Sequence, residues 1–541
     1  MKHRYIFVIG GVMSGVGKGT VSASLGRVLK AKGYAVTAIK MDPYINVDAG
    51  TMNPVEHGEV FVTVDGDETD QDIGNYERFL DRDIYKTNYM TTGRVYQTVI
   101  QRERNLEYEG RCVEVVPDVP NEIIRRIEAA AEESQADFVL VEVGGTVGEY
   151  QNILFLEAAR MMRQKDPDGV RTILVSYMPV PPSIGEMKTK PTQYAIRTMM
   201  GAGLSTDFVV ARSEMQIDQP RRKKLSFTCG IKEDYVIGSP NVPSIYEVPL
   251  LFEAQKFGES MLESFGMKSK KRHGLKEWEA MVQRIKEAKE EVKIGVVGKY
   301  FSTGDFVLSD VYLSVLEAIK HASWAQGRKP VIKWINSEAY EKDPSLLQEI
   351  NELDGIVIPG GFGSRGIEGK ILAIEYCRKN HIPYLGLCYG MQCAVIEYAR
   401  NVLGYKKANT TEIEKETPYP VIHLLPGQDQ NIEKGSYGGT LRLGAYICEL
   451  VKGTKTFEAY GEKQVKERHR HRYEYNNAYR KELEGAGLIS SGVNPELDLV
   501  EIVELKDHPF FVGVQFHPEF QSRPLHPHPL FVAFIKAATQ K

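Results

Sequence analysis

Short apolar runs alternate along the chain with longer segments in which apolar residues recur at helical spacing. Clear runs lie at residues 5–10, 137–145, 171–178 and 207–212. Buried strands that alternate with helices predict a parallel sheet covered on both faces. Because ligands bind such sheets at the carboxyl ends of the strands, we expect the chemistry-bearing residues where these runs stop.

The alternation is interrupted once. Residues 266–292 are strongly charged, which predicts a linker followed by a connecting helix. New apolar runs begin after them. We therefore predict an α/β protein with two parallel-sheet domains. The first occupies residues 1–265 and the second residues 293–541.

The composition is that of an ordinary globular protein. Of the 541 residues, 42% are hydrophobic and 26% are charged, and a chain of this length needs more than one hydrophobic core. Lysine and arginine together number 68 against 72 for aspartate and glutamate, and they form no basic stripe. We therefore expect no nucleic-acid partner.

The chain shows neither a signal peptide nor an apolar stretch long enough for a membrane span, so no membrane partner is expected. Its 6 cysteines include no CxxC pair. Sparse, unpaired cysteines are typical of a reducing compartment and argue against a zinc site. The expected location is the cytoplasm.

A glycine-rich loop from Gly10 to Thr20 follows the first apolar run and leads into a helical segment. In such a loop the backbone N–H groups converge on phosphate oxygens, the helix N-terminus adds partial positive charge, and Lys18 reaches the terminal phosphates. The loop departs from the usual P-loop, because Gly19 stands at the Ser/Thr position and the glycine spacing is off by one. Thr20 is a candidate for the missing hydroxyl. The alternative is a glycine-rich turn without a ligand.

If the magnesium-binding hydroxyl is displaced, the metal that accompanies ATP needs carboxylates from elsewhere. Asp72 lies in an acidic stretch, and Glu142 ends an apolar strand just before two glycines, where a Walker-B-type acid belongs. The alternative is a solvated acidic loop and a carboxylate that caps a turn. Spacing alone does not separate the two interpretations.

Two basic segments follow, at residues 188–193 and 221–224. Lysines ahead of a helix N-terminus suit a second polyanion. Solvated surface loops have the same composition, so the pattern by itself leaves both interpretations open.

Cys388 is the candidate nucleophile of the second domain. It stands in Gly-Leu-Cys-Tyr-Gly between a predicted strand and a helix, which is the cysteine version of the nucleophile elbow. The thiol must be ionised to act, and this requires a nearby imidazole. His517 follows about 130 residues later, with Glu519 placed to hold its tautomer. The alternative for Cys388 alone is a small core residue.

Two more segments suit the same chemistry. The glycines at 360–363 follow an apolar run and offer a second backbone N–H to an oxyanion. Residues 467–474 alternate like a strand, so Arg468, Arg470 and Arg472 share one face, where a guanidinium can hold the α-carboxylate of glutamine. A surface ladder of charges explains the alternation equally well.

Seven motifs together resemble those of the CTP synthase family, and the resemblance runs nearly end to end. The N-terminal motifs are Lys-Met-Asp-Pro-Tyr-Ile-Asn-Val-Asp from Lys40, Glu-Val-Gly-Gly-Thr-Val-Gly from Glu142 and Lys-Thr-Lys-Pro-Thr-Gln from Lys188. The C-terminal motifs are Pro-Gly-Gly-Phe-Gly, Gly-Leu-Cys-Tyr-Gly-Met-Gln, Glu-Arg-His-Arg-His-Arg-Tyr-Glu and Gln-Phe-His-Pro-Glu-Phe. The resemblance implies a P-loop-like, dethiobiotin-synthetase-like Rossmann-type domain and a class I glutamine amidotransferase domain of flavodoxin-like fold.

The resemblance also implies a reaction. ATP with Mg²⁺ phosphorylates O4 of UTP, and ammonia released from glutamine at Cys388 displaces the phosphate to give CTP, the last step of de novo CTP synthesis. The family further implies a homotetramer, feedback inhibition by CTP and activation by GTP.

Site residues are carried over from the family by motif. ATP is assigned to the loop, to Lys40 and to an adenine-binding segment: Gly15, Val16, Gly17, Lys18, Gly19, Thr20, Lys40, Asp72, Pro240, Asn241 and Val242. Asp72 and Glu142 are assigned to the metal. UTP and CTP are assigned to Ser14, Glu149, Tyr150, Gln151, Lys188, Thr189, Lys190, Pro191, Thr192, Gln193 and Lys224. Glutamine is assigned to Gly361, Tyr389, Gly390, Met391, Gln392, Glu412 and Arg472, around the triad of Cys388, His517 and Glu519.

One segment departs from the family pattern. After Gly-Gly-Thr-Val-Gly the family reads Asp-Ile-Glu, whereas this chain has Glu149-Tyr150-Gln151. The change alters charge and shape where the pyrimidine nucleotide is expected, so UTP affinity and CTP feedback are the properties it puts in question.

Two other classes share parts of the pattern. A corrinoid amidase, or a dethiobiotin-synthetase-like domain fused to a glutaminase, has a modified P-loop and a cysteine elbow but lacks the Lys188–Gln193 motif. A partition-type ATPase needs a lysine where Met13 stands and a hydroxyl at Gly19, and it carries no glutaminase triad.

Overall fold

The computed structural model describes residues 3–271, 274–299, 302–303, 306–307, 309–425, 428 and 438–540. The chain forms two compact units. One contains residues 1–49 and 72–282, and the other contains residues 50–71 and 283–541. No helix in the described part of the chain is both long and apolar enough to cross a bilayer.

The first unit is built on a parallel sheet of seven strands among the described residues. In spatial order they are Tyr89–Thr91, Val36–Asp42, Phe138–Thr146, Arg4–Gly11, Val170–Tyr177, Phe208–Ser213 and Val236–Pro240. The α-helices are Lys18–Ala31, Gln71–Leu80, Thr92–Arg104, Val115–Ser134, Ile153–Lys165, Lys190–Gly201, Gln219–Cys229, Val248–Ala254, Phe257–Ser264 and Lys276–Glu287, the last of which leads into the second unit. The strand-and-helix alternation predicted from the sequence is confirmed here.

The second unit is built on a nine-stranded mixed sheet within the described residues. Five parallel strands come first: Lys329–Asn336, Glu291–Gly298, Gly355–Ile358, Tyr384–Leu387 and Phe511–Val514. Four antiparallel strands extend them: Leu499–Leu505, Leu488–Asn494, Arg442–Leu450 and Gln464–His471. The prediction of a parallel sheet is therefore right for the strands that carry the elbow and incomplete for the rest.

Helices cover both faces of this sheet. Ile356 and Ile358 pack into one apolar cluster and Val357 into the other, because successive strand residues point to opposite faces. The α-helices are Pro54–His57, Leu313–Ala325, Ser337–Lys342, Ile367–Lys379, Tyr389–Asn401, Lys455–Tyr460, Arg480–Gly485 and Pro529–Ala538. Smaller strands are Ser302–Thr303 with Phe306–Val307, and Ala408–Thr410 with Tyr419–Leu424 and Tyr473–Tyr475.

Residues 50–71 form an excursion that belongs to the second unit although it lies early in the chain. It carries the hairpin Val60–Val62 with Glu68–Asp70. The guanidinium of Arg468 donates to the Val62 carbonyl at 3.0 Å, and Ser314 N donates to the Glu59 carboxylate at 3.0 Å. The domain limits drawn from composition did not include this excursion.

Candidate active sites

The nucleophile elbow is a strained turn between the strand Tyr384–Leu387 and the helix Tyr389–Asn401. Cys388 has φ 49° and ψ −97°, a conformation that non-glycine residues rarely adopt. Its neighbours must be small: a Cβ on Gly386 would lie 2.8 Å from the carbonyl carbon of Gly390, and a Cβ on Gly390 would overlap the carbonyl oxygen of Ile358. The Gly-x-Cys-x-Gly pattern is thus a packing requirement of the turn.

His517 and Glu519 lie beside the cysteine, in the turn that follows the strand Phe511–Val514. Nδ1 of His517 is 2.7 Å from Oε1 of Glu519, and both side chains are buried. A Cβ on Gly360 would lie 2.9 Å from Cε1 of His517 and 3.8 Å from Cβ of Cys388, so the imidazole and the cysteine flank the same glycine. The three residues predicted as a triad are brought together.

The electrostatics of this pair favour an ionised thiol. Burial raises the pKa of Cys388, but the neighbouring imidazoles of His517 and His471 lower it overall to about 6. Burial lowers the pKa of His517, but the Glu519 carboxylate and the Cys388 thiolate raise it overall to about 10. At neutral pH the pair is therefore a thiolate and an imidazolium.

A cavity of about 450 Å³ opens onto Cys388. Five residues assigned to glutamine line it: Gly361, Tyr389, Gln392, Glu412 and Arg472. Two do not. Met391 is fully buried in the core, and Gly390 packs against the backbone of the neighbouring strand.

Polar contacts fix the walls of this cavity. Oε1 of Glu412 accepts from Gly363 N at 2.7 Å, and Tyr389 OH donates to the Gly363 carbonyl at 2.8 Å. Arg472 donates to Thr440 Oγ1 at 3.0 Å and also to Gln428. These bonds fix the glycine loop and the Arg472 side chain, both of which contribute to the lining of the cavity.

The arginine-rich strand is not a surface ladder. Arg468 is fully buried, and Nε of Arg470 lies 2.8 Å from Oε1 of Glu68 in the 50–71 excursion. A second cavity, of about 90 Å³, lies between the 50–71 excursion and the arginine-rich strand, beside the nucleophile. It is lined by Pro54, Glu59 and Val60 of the excursion together with Cys388, His517 and Arg470.

Sequence reasoning missed two residues at the sulfur. Nε2 of Gln515 lies 3.7 Å from Sγ of Cys388, and His471 lines the same cavity as the thiol and lowers its pKa. Both residues belong to the family motifs quoted above, in Glu-Arg-His-Arg-His-Arg-Tyr-Glu and Gln-Phe-His-Pro-Glu-Phe, but neither was assigned a role at the thiol.

The phosphate loop in the first unit has the geometry of an anion cradle. Gly15 and Gly17 have φ of 67° and 89°, and the helix Lys18–Ala31 begins directly after them. Nζ of Lys18 donates to the Gly145 carbonyl at 2.8 Å. Burial is the main cause that lowers the pKa of Lys18. Val16 is buried, Ser14 is exposed, and Thr20 is half-buried in the first helical turn.

Asp72 explains the missing hydroxyl of the loop. A Cβ on Gly19 would lie 2.6 Å from Cγ of Asp72, so the carboxylate fills the space that a Ser or Thr side chain would occupy. The departure from the P-loop pattern and the acidic stretch are therefore structurally linked, because Asp72 occupies the space beside Gly19.

Lys40 and Glu142 lie opposite each other on the paired strands Val36–Asp42 and Phe138–Thr146, and Asp72, in the first turn of the helix Gln71–Leu80, completes a cluster with them. Nζ of Lys40 is 3.0 Å from Oε1 of Glu142 and also contacts Oδ2 of Asp72. Tyr76 donates its hydroxyl hydrogen to the other oxygen of Glu142. Burial first, and then Asp72, raise the pKa of Glu142, while Lys40 and Lys18 oppose the shift.

The carboxylates of this cluster suit a divalent cation. Both reach one ammonium nitrogen, so they converge on a point that a cation can share, and oxygen ligands are those that Mg²⁺ prefers. Asp72 and Glu142 are therefore compatible with the predicted metal site.

The predicted adenine segment is tied to the loop by a residue that was not predicted. Arg212 donates to the carbonyls of Ser239 at 2.7 Å and Pro240 at 3.1 Å, and to Oδ1 of Asn241 at 3.2 Å. Its Nε lies 3.6 Å from where a Cβ on Gly17 would stand. Val242 is half-buried beside them.

The predicted pyrimidine-nucleotide residues are only partly brought together. Lys188, Thr189, Lys190 and Lys224 line one cavity of about 510 Å³, with Glu186 and Arg221. Thr192 is buried and bonded to Ser176 at 2.9 Å, Gln193 donates to Thr189 at 3.1 Å, and Pro191 opens the helix.

The unusual Glu149-Tyr150-Gln151 segment does not line that cavity. Glu149 folds back on its own turn, where Oε1 accepts from Thr146 N at 2.8 Å and from Thr146 Oγ1 at 2.5 Å. Tyr150 is 94% exposed, and Gln151 is exposed as well.

Comparisons with known proteins agree with this geometry. A family model described as CTP synthase N-terminus matches residues 4–267, and one described as glutamine amidotransferase class-I matches residues 307–537. The CTP synthase of Carboxydothermus hydrogenoformans is 50% identical over 536 residues, which is 99% of this chain and 98% of the relative. That of Caldanaerobacter subterraneus subsp. tengcongensis is 48% identical over 535 residues, with the same shares covered.

Among solved structures, the glutaminase domain of Trypanosoma brucei CTPS with bound acivicin is 38% identical, with a TM-score of 0.42. The match covers 46% of this chain and 94% of the Trypanosoma brucei domain.

A phosphate-loop unit joined to a unit with a cysteine elbow and a His–Glu pair defines a glutamine-dependent amidotransferase. The particular family follows from the near full-length relatives: the chain belongs to the CTP synthase family. This confirms the resemblance found in the motifs, and it excludes the corrinoid-amidase and partition-ATPase alternatives.

Proposed function

We propose that the chain converts UTP to CTP, using ATP and ammonia that its second unit releases from glutamine. One observation carries the proposal. A buried cysteine in a strained elbow, flanked by a His–Glu pair, stands on the same chain as a phosphate loop whose missing hydroxyl is replaced by Asp72.

In the second unit the thiolate of Cys388 attacks the amide carbon of glutamine. His517 gives its proton to the leaving nitrogen, and Glu519 holds the imidazole in the required orientation. The N–H groups of Gly361 and Tyr389 are the proposed oxyanion donors, and each such donor is worth about 2.7–4 kcal/mol in a transition state. Arg472 and Glu412, at the cavity wall, are the proposed partners of the glutamine α-carboxylate and α-ammonium.

In the first unit, Gly15 to Thr20 and Lys40 are proposed to bind the ATP phosphates, and residues 240–242 the adenine. Asp72 and Glu142 are proposed to hold Mg²⁺, which when bound neutralises charge on the phosphate oxygens. The phosphorylated O4 of UTP is then a good leaving group for ammonia. Lys188, Lys190 and Lys224, which share one cavity, are the proposed partners of the UTP triphosphate.

Regulation and assembly complete the proposal. Inhibition by CTP, activation by GTP and a homotetramer rest on the family resemblance alone. Glu149-Tyr150-Gln151 is the segment at which this chain is expected to differ in nucleotide affinity, because its carboxylate is engaged by Thr146.

The test is a direct assay. The protein is incubated with ATP, Mg²⁺, glutamine and UTP, and the change from uracil to cytosine absorbance is followed. Parallel reactions omit ATP or replace UTP with other acceptors. Signal that requires both ATP and UTP supports the proposal, whereas turnover of another acceptor with none of UTP contradicts it.

A further inference from the structure

The second half of the strand Gln464–His471 is largely buried on both faces, and the face opposite the arginines carries two imidazoles. His469 is fully buried and His471 is 6% exposed. Their ring centroids are 5.1 Å apart. Only His471 lines the cavity that opens onto Cys388.

A chain of buried charges holds His471. Its Nε2 is 2.6 Å from Oε1 of Glu474, and the same carboxylate oxygen accepts from Arg442 at 3.0 Å. Arg442 also donates to Oε1 of Glu501 at 2.7 Å, and the other oxygen of Glu501 lies 3.7 Å from Nε2 of His469. A buried carboxylate as close as Glu474 favours the protonated form of the ring.

The two imidazoles accordingly differ in charge. Burial lowers the pKa of His471, but Glu474 and the Cys388 thiolate raise it overall to about 9. Burial first, and then Arg442, His471 and His517, hold the pKa of His469 well below its usual value. His471 is therefore a cation at neutral pH and His469 is neutral.

We propose that His471 serves the glutaminase site as a second imidazolium: it lines the same cavity as Cys388 and keeps the sulfur ionised. This deepens the proposed function, on which it rests, by separating two tasks. His517 exchanges protons with the substrate, and His471, held by Glu474, keeps its proton throughout.

The proton balance shows why two cations are useful. In acylation the thiolate forms the S–C bond, the C–N bond breaks, and the His517 proton leaves with the nitrogen as ammonia. In deacylation the neutral His517 takes a proton from water and the resulting hydroxide attacks the thioester carbon. The S–C bond breaks to give the thiolate and the side-chain carboxylic acid of glutamate, which loses its proton to solvent. When the thiolate returns, His471 is already charged beside it.

The experiment compares H471Q with H469Q, which removes the neutral neighbour on the same face. The first readout is the rate of Cys388 alkylation by iodoacetamide as a function of pH. Loss of a neighbouring cation disfavours the thiolate. The pH at which alkylation of H471Q reaches half of its maximal rate should therefore rise by about one unit or more, while that of H469Q stays at the wild-type value. The second readout is kcat/KM for glutamine at neutral pH, which falls about tenfold or more in H471Q.

Two further variants keep the test decisive. E474Q leaves the imidazole in place and substitutes a side chain of similar size for its carboxylate partner. It should raise the pH of the acid limb of Cys388 alkylation, by less than H471Q does. H471K restores a cation at this position, so its acid limb should lie between those of H471Q and the wild type. If the pH dependence of Cys388 alkylation is unchanged in H471Q and E474Q while glutaminase activity falls, His471 is a packing or binding residue and the proposal is overturned. A C388A protein that still hydrolyses glutamine would instead overturn the proposed function itself.

Discussion

Asp72 fills the space beside Gly19 that a P-loop hydroxyl normally occupies: a Cβ on residue 19 would lie 2.6 Å from Cγ of Asp72. A carboxylate thus stands where Ser or Thr usually reaches the magnesium ion. A side chain at position 19 would collide with this carboxylate.

We therefore predict that G19S lowers ATP-dependent CTP formation at least a hundredfold with either glutamine or ammonia, because Asp72 must leave its place. The matched control is G201S, since a Cβ on that helical glycine meets nothing within 4 Å. Steady-state assays with both nitrogen donors measure the effect. Wild-type activity in G19S would show that Asp72 is not the substitute ligand.

Tyr76 orients the second proposed ligand through its hydroxyl bond to Glu142. Loss of a partner that orients a ligand typically weakens metal affinity about 10–100-fold, so Y76F should raise the Mg²⁺ concentration needed for half-maximal activity by about that factor. Y34F is the control, because Tyr34 OH donates to the Lys268 carbonyl at 2.5 Å and contacts no carboxylate of the cluster. Equal Mg²⁺ titration curves for the two variants would count against Glu142 as a ligand.

The pH profile of glutamine hydrolysis should be bell-shaped. Activity needs the thiolate, which forms as pH rises through about 6, and the imidazolium, which is lost as pH rises through about 10. Because the two groups are coupled, both limbs belong to the pair and not to either residue alone. The measurement is kcat/KM for glutamine from pH 5 to pH 10.5. An acid limb near 8.5, the usual thiol value, would contradict the ion pair.

Features that reside in contiguous sequence were predictable. The elbow around Cys388 and the loop before Lys18 are each a strand, a short glycine-rich turn and a helix, so local propensity and spacing indicate them directly. His517 and Glu519 follow because thiolate chemistry requires an imidazole and a carboxylate somewhere downstream.

Features that depend on contacts between distant segments were not predictable. The 50–71 excursion joins the second unit through Glu59 and Val62, which carry no motif. Arg212 and His471 sit in ordinary strand patterns, and only tertiary packing places them at the phosphate loop and at the sulfur. The antiparallel extension of the second sheet was missed because buried charged residues interrupt the apolar pattern of its strands, as Glu501 and Glu504 do in Leu499–Leu505.

The division of labour between the two units is the central claim, and the C388A variant tests it most directly. The variant removes the nucleophile but leaves the proposed residues of the first unit untouched. CTP formation from glutamine should fall to background, while CTP formation from added ammonia should keep its wild-type rate. If glutamine still supports CTP formation, or if added ammonia does not, the claim that a glutaminase unit supplies ammonia to an ATP-dependent synthetase unit is contradicted.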